Sequence, residues 1–149
     1  MPIPANITLA PASLSFTAVG QSEKLIPTVT DQQGNTLQNA AVTWSTSNPV
    51  VADVSTDGTV IARSVGSAEV TAVSGPASAT VPVVVSQAPT QLQKIAGDGQ
   101  TGIAGQPLPA PLVVEVNDAQ GAPVSGATVT FTVTQGGGSL ATPTSITDS

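Results

Sequence analysis

The chain has 149 residues, of which 40% are apolar, 8% charged and 2% aromatic, and its formal net charge is −6. Its three basic residues, Lys24, Arg63 and Lys94, lie far apart in sequence, so no basic patch exists to grip a nucleic-acid backbone or an anionic membrane surface. Cysteine and histidine are both absent, which excludes disulfides, thiolate chemistry, Cys/His zinc sites and a Ser–His relay.

Charged residues average about 25% in soluble domains, so Thr, Ser, Gln and Asn must keep this surface wet. Abundant Thr and Val also favour half-buried strands, because β-branching restricts χ1 in a helix. The opening MPIPANITLAP has neither a positive n-region nor a continuous apolar run and does not read as a secretion signal. Period-two alternation bounded by Gly, Pro, Asn or Asp predicts strands at 7–9, 13–18, 24–30, 41–46, 50–54, 59–62, 68–73 and 79–85. In the 41–46 strand, Val42 and Trp44 share one face, with Thr43 and Ser45 on the other. Asp57-Gly58 suits a tight hairpin turn with positive φ between the fifth and sixth strands. The longest apolar run, ATVPVVV at 79–85, is far short of the ~20 residues that span a bilayer, so no membrane insertion is expected of this segment. Short strands at this spacing predict a sandwich or barrel and no long helix.

One phrase occurs twice. VTDQQGNTLQNAAVTW runs from Val29 to Trp44 and the similar VNDAQGAPVSGATVTF from Val116 to Phe131, with both ends offset by 87 residues. In both, the Asp can bond backbone amides and the Gly tolerates a left-handed turn (Asp31 and Gly34, Asp118 and Gly121). Between the copies lies the Pro-stiffened Gln87-Ala88-Pro89-Thr90. The repeat is therefore a module repeat, with domains expected at 1–87 and 88–149.

Residues 6–86 resemble the bacterial immunoglobulin-like domain group 2. The resemblance is carried by ITLAPASLSFTAVGQSEKLIPTVTDQQGN, by WSTSNPVVADVSTDG, with Trp44, Ser45, Ser47, Val51, Ala52, Val54 and Gly58, and by the closing ATVPVVV. Residues 90–149 resemble the invasin/intimin-type group 1 domain, through GDGQTGIAGQPLPAPLVVEVNDAQGAPVSGATVTFTV and GGGSL. The resemblance implies an all-β fold of two immunoglobulin-like Greek-key sandwiches in tandem. It also implies that the second is expected to lack its later strands, since SITDS stands where a further hairpin should begin. Such a half sandwich is either a fragment, the favoured expectation, or is completed by strands from a neighbouring chain. By family, these domains are non-enzymatic stalk or adhesive modules of bacterial cell-surface or secreted proteins. The alternative roles are an accessory module of a secreted polysaccharide-active enzyme or of a phage virion, and a strand-exchanging fibre subunit. The family shares no catalytic residues, so the implied catalytic, cofactor and metal residues are none. The implied partners are other such modules or neighbouring chains; a host-cell or carbohydrate ligand stays open.

Trp44, the single tryptophan, reads as a core residue of the third strand rather than a sugar platform, because immunoglobulin-like sandwiches bury a Trp there. Phe131 reads as its equivalent. The acids Glu23, Asp31, Asp53, Asp57, Glu69, Asp98, Glu115, Asp118 and Asp148 form no D-x-D-x-D run, and turn chemistry explains Asp31, Asp57 and Asp118 without calcium. Gln135–Leu140, QGGGSL, lacks the Lys and helix of a phosphate loop and reads as a connection between strands. Asn6-Ile7-Thr8 matches a glycosylation sequon by chance. Arg63 is expected near the end of the first module and is predicted to meet Asp118.

Overall fold

β1 (Asn6–Ala10) and β2 (Leu14–Phe16) are two halves of one extended run broken by Pro11, whose peptide bond to Ala10 is cis. In β2, Leu14 and Phe16 point inward and Ser15 outward, as a period of two requires. β3 (Ser22–Lys24) and β4 (Ile26–Thr30) form a second run interrupted at Leu25. Leu25 is fully buried, and its N–H donates to the Gly58 carbonyl at 2.9 Å. β5 (Thr43–Thr46), β6 (Ala52–Val54), β7 (Thr59–Ala62), β8 (Gly66–Ser74) and β9 (Ala77–Val85) follow. Every strand read from alternation in this half is present, with ends shifted by up to two residues and the 24–30 strand split at Leu25.

These strands make a two-layer sandwich. One layer has the order β2-β9-β8-β5, with β2 parallel to β9 and the other pairs antiparallel. In the other, β1 pairs with β4, and β3 continues into β3-β7-β6. The first extended run therefore divides itself between the layers, the arrangement of an immunoglobulin-like sandwich. Between them lies a core of Leu14, Phe16, Leu25, Val60, Val70, Val81, Val83 and Val85, each at most 4% exposed. The longest hairpin, β8-β9, runs nine residues in register from Gly66↔Val85 to Ser74↔Ala77.

The computed structural model describes residues 2–148, and among them no helix occurs. The chain divides into two compact units, Met1–Gln87 and Ala88–Ser149. The second unit carries β10 (Gln91–Ala96), β11 (Val113–Asn117), β12 (Thr128–Thr130) and β13 (Thr144–Ile146). They form two separate antiparallel ribbons, β10-β11 and β12-β13. Between the ribbons sits a small core of Val116, Val124 and Val129, with Val114, Ala127 and Phe131 packed partly buried against it.

Candidate functional site

The two copies of the repeated phrase fold alike, bond for bond. Asp31 Oδ1 accepts the N–H groups of Gln33 and Asn35, both at 2.9 Å; Asp118 Oδ1 accepts those of Gln120 and Ala122, also at 2.9 Å. Gly34 and Gly121 both stand at positive φ, 81° and 83°, and donate to the carbonyls of Asp31 and Asp118. Leu37 donates to Val29 and Val124 to Val116, closing each turn onto its preceding strand. Both carboxylates thus organise a loop, as short polar side chains at turns do. At Asp31 the backbone N–H and side chain of Asn35, followed by the N–H groups of Gln33 and Gly34, hold the carboxyl below its ordinary value.

The lone Trp44 is half-buried, spanning the main core and a second cluster around Ile7, Val29, Ala72 and Ala77. It is packed from both sides, although less enclosed than a fully buried core residue. Arg63 is paired within its own unit. Its guanidinium lies 3.3 Å from Asp53, a neighbour across the β6-β7 pairing, while Asp118 is fully buried with its Oδ1 committed to its own loop. Adjacent strands bring Asp53 within reach of Arg63 at little cost in side-chain entropy. The other two cations are also paired, Lys24 with Asp57 at 2.9 Å and Lys94 with Asp98. Among the described residues, no group of three or more acids converges as a cation site would need. Asn6 opens β1 on an exposed surface, and Gln135–Gly138 form an exposed connection between β12 and β13.

The second unit holds the feature that alternation alone does not reveal. In the first unit, Ser47 donates to the Glu69 carbonyl at 2.9 Å, continuing the pairs Thr43↔Val73 and Ser45↔Thr71. Odd-numbered residues of β5 therefore aim their backbone groups at β8, and Val42 and Trp44 aim away. In the second unit, Phe131 donates to the Pro143 carbonyl at 2.8 Å, and Thr147 donates to the Ala127 carbonyl at 2.9 Å. Here Ala127, Val129 and Phe131, the counterparts of Ala40, Val42 and Trp44, aim at β13. The strand β13 thus lies on the edge of β12 opposite to the one that β8 occupies on β5.

It follows that the backbone groups of Thr128 and Thr130 face an edge with no strand against it among the described residues. Between the two ribbons opens a groove of about 670 Å³, lined by Ile95, Leu112, Val129, Phe131, Leu140 and Ile146, with Glu115 and Asp148 as its charged members. Ile95, Leu112 and Ile146 are 54%, 46% and 69% exposed. β13 itself is tied down by Thr147, whose hydroxyl accepts the Ala127 N–H at 2.9 Å and donates to the Val124 carbonyl at 2.6 Å.

Residues 5–91 match the family model described as bacterial Ig-like domain (group 2). The chain belongs to this family. The match covers the first sandwich and extends a few residues past it. Among solved structures, this group 2 chain is similar to domains 4 and 5 of the S-layer protein SbsC, at 28% identity over 58% of this chain and 54% of that one, with a TM-score of 0.52. It thus spans about half the length of that structure. Domains 5–6 of the same S-layer protein align with 100% of this chain and 86% of theirs, at 25% identity and a TM-score of 0.52. A longer SbsC structure, 24% identical with a TM-score of 0.54 and covered over 22% of its length, shares the fold. No curated protein matches the chain. No helix is long and apolar enough to cross a membrane among the described residues.

Proposed function

We propose that this chain is a non-catalytic structural module of a bacterial cell-surface or secreted protein, two immunoglobulin-like units in series serving as a stalk or lattice segment. The observation that carries this reading is its alignment, over its whole length, with two consecutive domains of an S-layer protein. The paired ion bridges and the loop-organising roles of Asp31 and Asp118 agree with it, since the polar side chains that sequence singles out are spent on holding turns. The invasin/intimin-type identity of residues 90–149 belongs to the same proposal, resting on the phrase GDGQTGIAGQPLPAPLVVEVNDAQGAPVSGATVTFTV and on GGGSL.

The test is localisation. Antibodies raised against the chain should label intact cells of the bacterium that encodes it, or its culture medium, and protease shaving of intact cells should remove the cell-bound label. Signal that appears only after lysis would defeat the reading.

A further inference from the structure

We infer that Asp98-Gly99 is a site of spontaneous covalent modification, where the chain isomerises through a succinimide to isoaspartate and so loosens the loop that follows β10. The sequence holds two Asp-Gly pairs, Asp57-Gly58 and Asp98-Gly99. Glycine has no Cβ to shield its nitrogen, so by sequence both pairs are open to attack of that nitrogen on the preceding carboxyl. In the reaction, the Gly99 nitrogen bonds to Cγ of Asp98 and gives up its proton, and a carboxyl oxygen departs as water. A water molecule then opens the ring. Cleavage of the new bond restores aspartate, whereas cleavage of the original peptide bond leaves the main chain running through Cβ and Cγ. One water is released and one consumed, and nothing is oxidised or reduced.

The fold separates the two pairs. At Asp57 the carboxylate is held by the Lys24 ammonium at 2.9 Å and the Thr59 hydroxyl at 3.1 Å, with the Ser55 hydroxyl also donating to it. The Gly58 N–H donates to the Ser55 carbonyl at 3.1 Å, its carbonyl accepts from Leu25, and the residue is buried. Nucleophile and electrophile are each committed elsewhere. Asp98 and Gly99 instead form the exposed centre of the turn 97–100. Gly99 stands at φ 64° with nothing within 4 Å of the place a Cβ would take. The Asp98 side chain is 69% exposed and pairs with an exposed Lys94, a contact that restrains it little. Lys94 first, and the Gly99 N–H after it, draw the Asp98 carboxyl below its ordinary value, so the attacking nitrogen already faces its target.

The modification bears on the loop 97–111. Gln100 closes the base of that loop, its amide donating to the carbonyls of Gly97 at 2.7 Å and Ala110 at 2.9 Å and accepting the Ala110 N–H at 2.9 Å. Isoaspartate inserts a methylene into the main chain between Gly97 and Gln100, which shifts the Gln100 amide off these partners. The loop that presents Ile103 and Leu108, 79% and 51% exposed, is then no longer tied at its base.

The experiment ages the full chain at neutral pH, natively and in parallel in urea, and locates isoaspartate by peptide mapping with electron-transfer fragmentation. Native protein should accumulate isoaspartate at 98 at least about tenfold faster than at 57, because exposed, loosely held segments reach the attacking geometry more often. In urea the two rates should converge to within about threefold, since only the fold separates them. Asp98→Glu, which keeps a carboxylate for Lys94 but demands a larger ring, should abolish the product at 98 and leave 57 unchanged. The modified fraction should exchange the Ala110 N–H at least about tenfold faster than fresh protein, with Val129 unchanged. Equal native rates at 98 and 57 overturn the assignment, as does a native Asp98 that stays intact while the unfolded chain isomerises there. Unchanged exchange at Ala110 in the modified fraction overturns the loosening of the loop.

Discussion

A Cβ on Gly58 would stand 2.7 Å from Cζ2 of Trp44 and 2.9 Å from the carbonyl oxygen of Leu25. The indole therefore lies against bare backbone at the Asp57-Gly58 turn, which ties the one tryptophan to the hairpin joining β6 and β7. Gly58 also sits at φ 85°, where an L side chain is strained. Gly58→Ala should cost about 2–4 kcal/mol, adding steric overlap in a packed site to left-handed strain. Gly34→Ala, at φ 81° but with nothing within 4 Å of the new Cβ, should cost only about 1–2 kcal/mol. Urea unfolding followed by the emission of Trp44 measures both, and equal losses would refute the packing role assigned to Trp44.

Acid should weaken the first unit. The Ser55 hydroxyl, the Lys24 ammonium, and the hydroxyl and N–H of Thr59 hold the Asp57 carboxyl far below its ordinary value of 3.8, and Asp31 is lowered by its own loop. A carboxyl with a depressed folded value contributes stability that is present above the unfolded value and lost as pH falls towards the folded one. The urea midpoint should therefore hold from pH 7 to about 5 and decline progressively below about 4. Asp57→Asn should flatten that decline, and an unchanged slope would rule out Asp57 as a contributor.

The surface ion pair at Arg63 should matter little. Its side chain and that of Asp53 are 52% and 48% exposed, and exposed pairs contribute roughly 0–1 kcal/mol. Arg63→Ala should shift the unfolding free energy by less than about 1 kcal/mol. A larger loss would mean that the guanidinium has a role beyond Asp53.

Thr147 should carry more weight than its position in the chain suggests. Its hydroxyl joins the Ala127 N–H to the Val124 carbonyl, so Thr147→Val leaves both groups without that partner. The expected cost is about 1–3 kcal/mol, localised to the second unit, with faster amide exchange at Ala127 and Val129 and no change in the emission of Trp44. Thr147→Ser should retain most of the stability.

Much of this architecture was legible in the residues. Alternation placed each strand of the first unit within a few positions, because one buried face forces a period of two whatever the partner strand. The 87-residue recurrence of Asp, Gly and apolar positions announced two copies of one turn, because an Asp accepting amides two and four residues ahead is a purely local structure. The break at Leu25 was hidden, since its buried side chain reads like any other strand residue while its N–H pairs with Gly58.

Three matters were settled by the tertiary structure alone. Arg63 could have met any acid, and the β6-β7 register chose Asp53. Trp44 had to face inward, but how far it is enclosed depends on which clusters close around it. The side chains of TVTFTV declare which face of β12 is apolar, yet both of its edges carry the same N–H and C=O groups. Side-chain chemistry determines which face of a strand is buried. Only the arriving neighbour determines which edge is paired, and β13 arrived on the side that leaves Thr128 and Thr130 open.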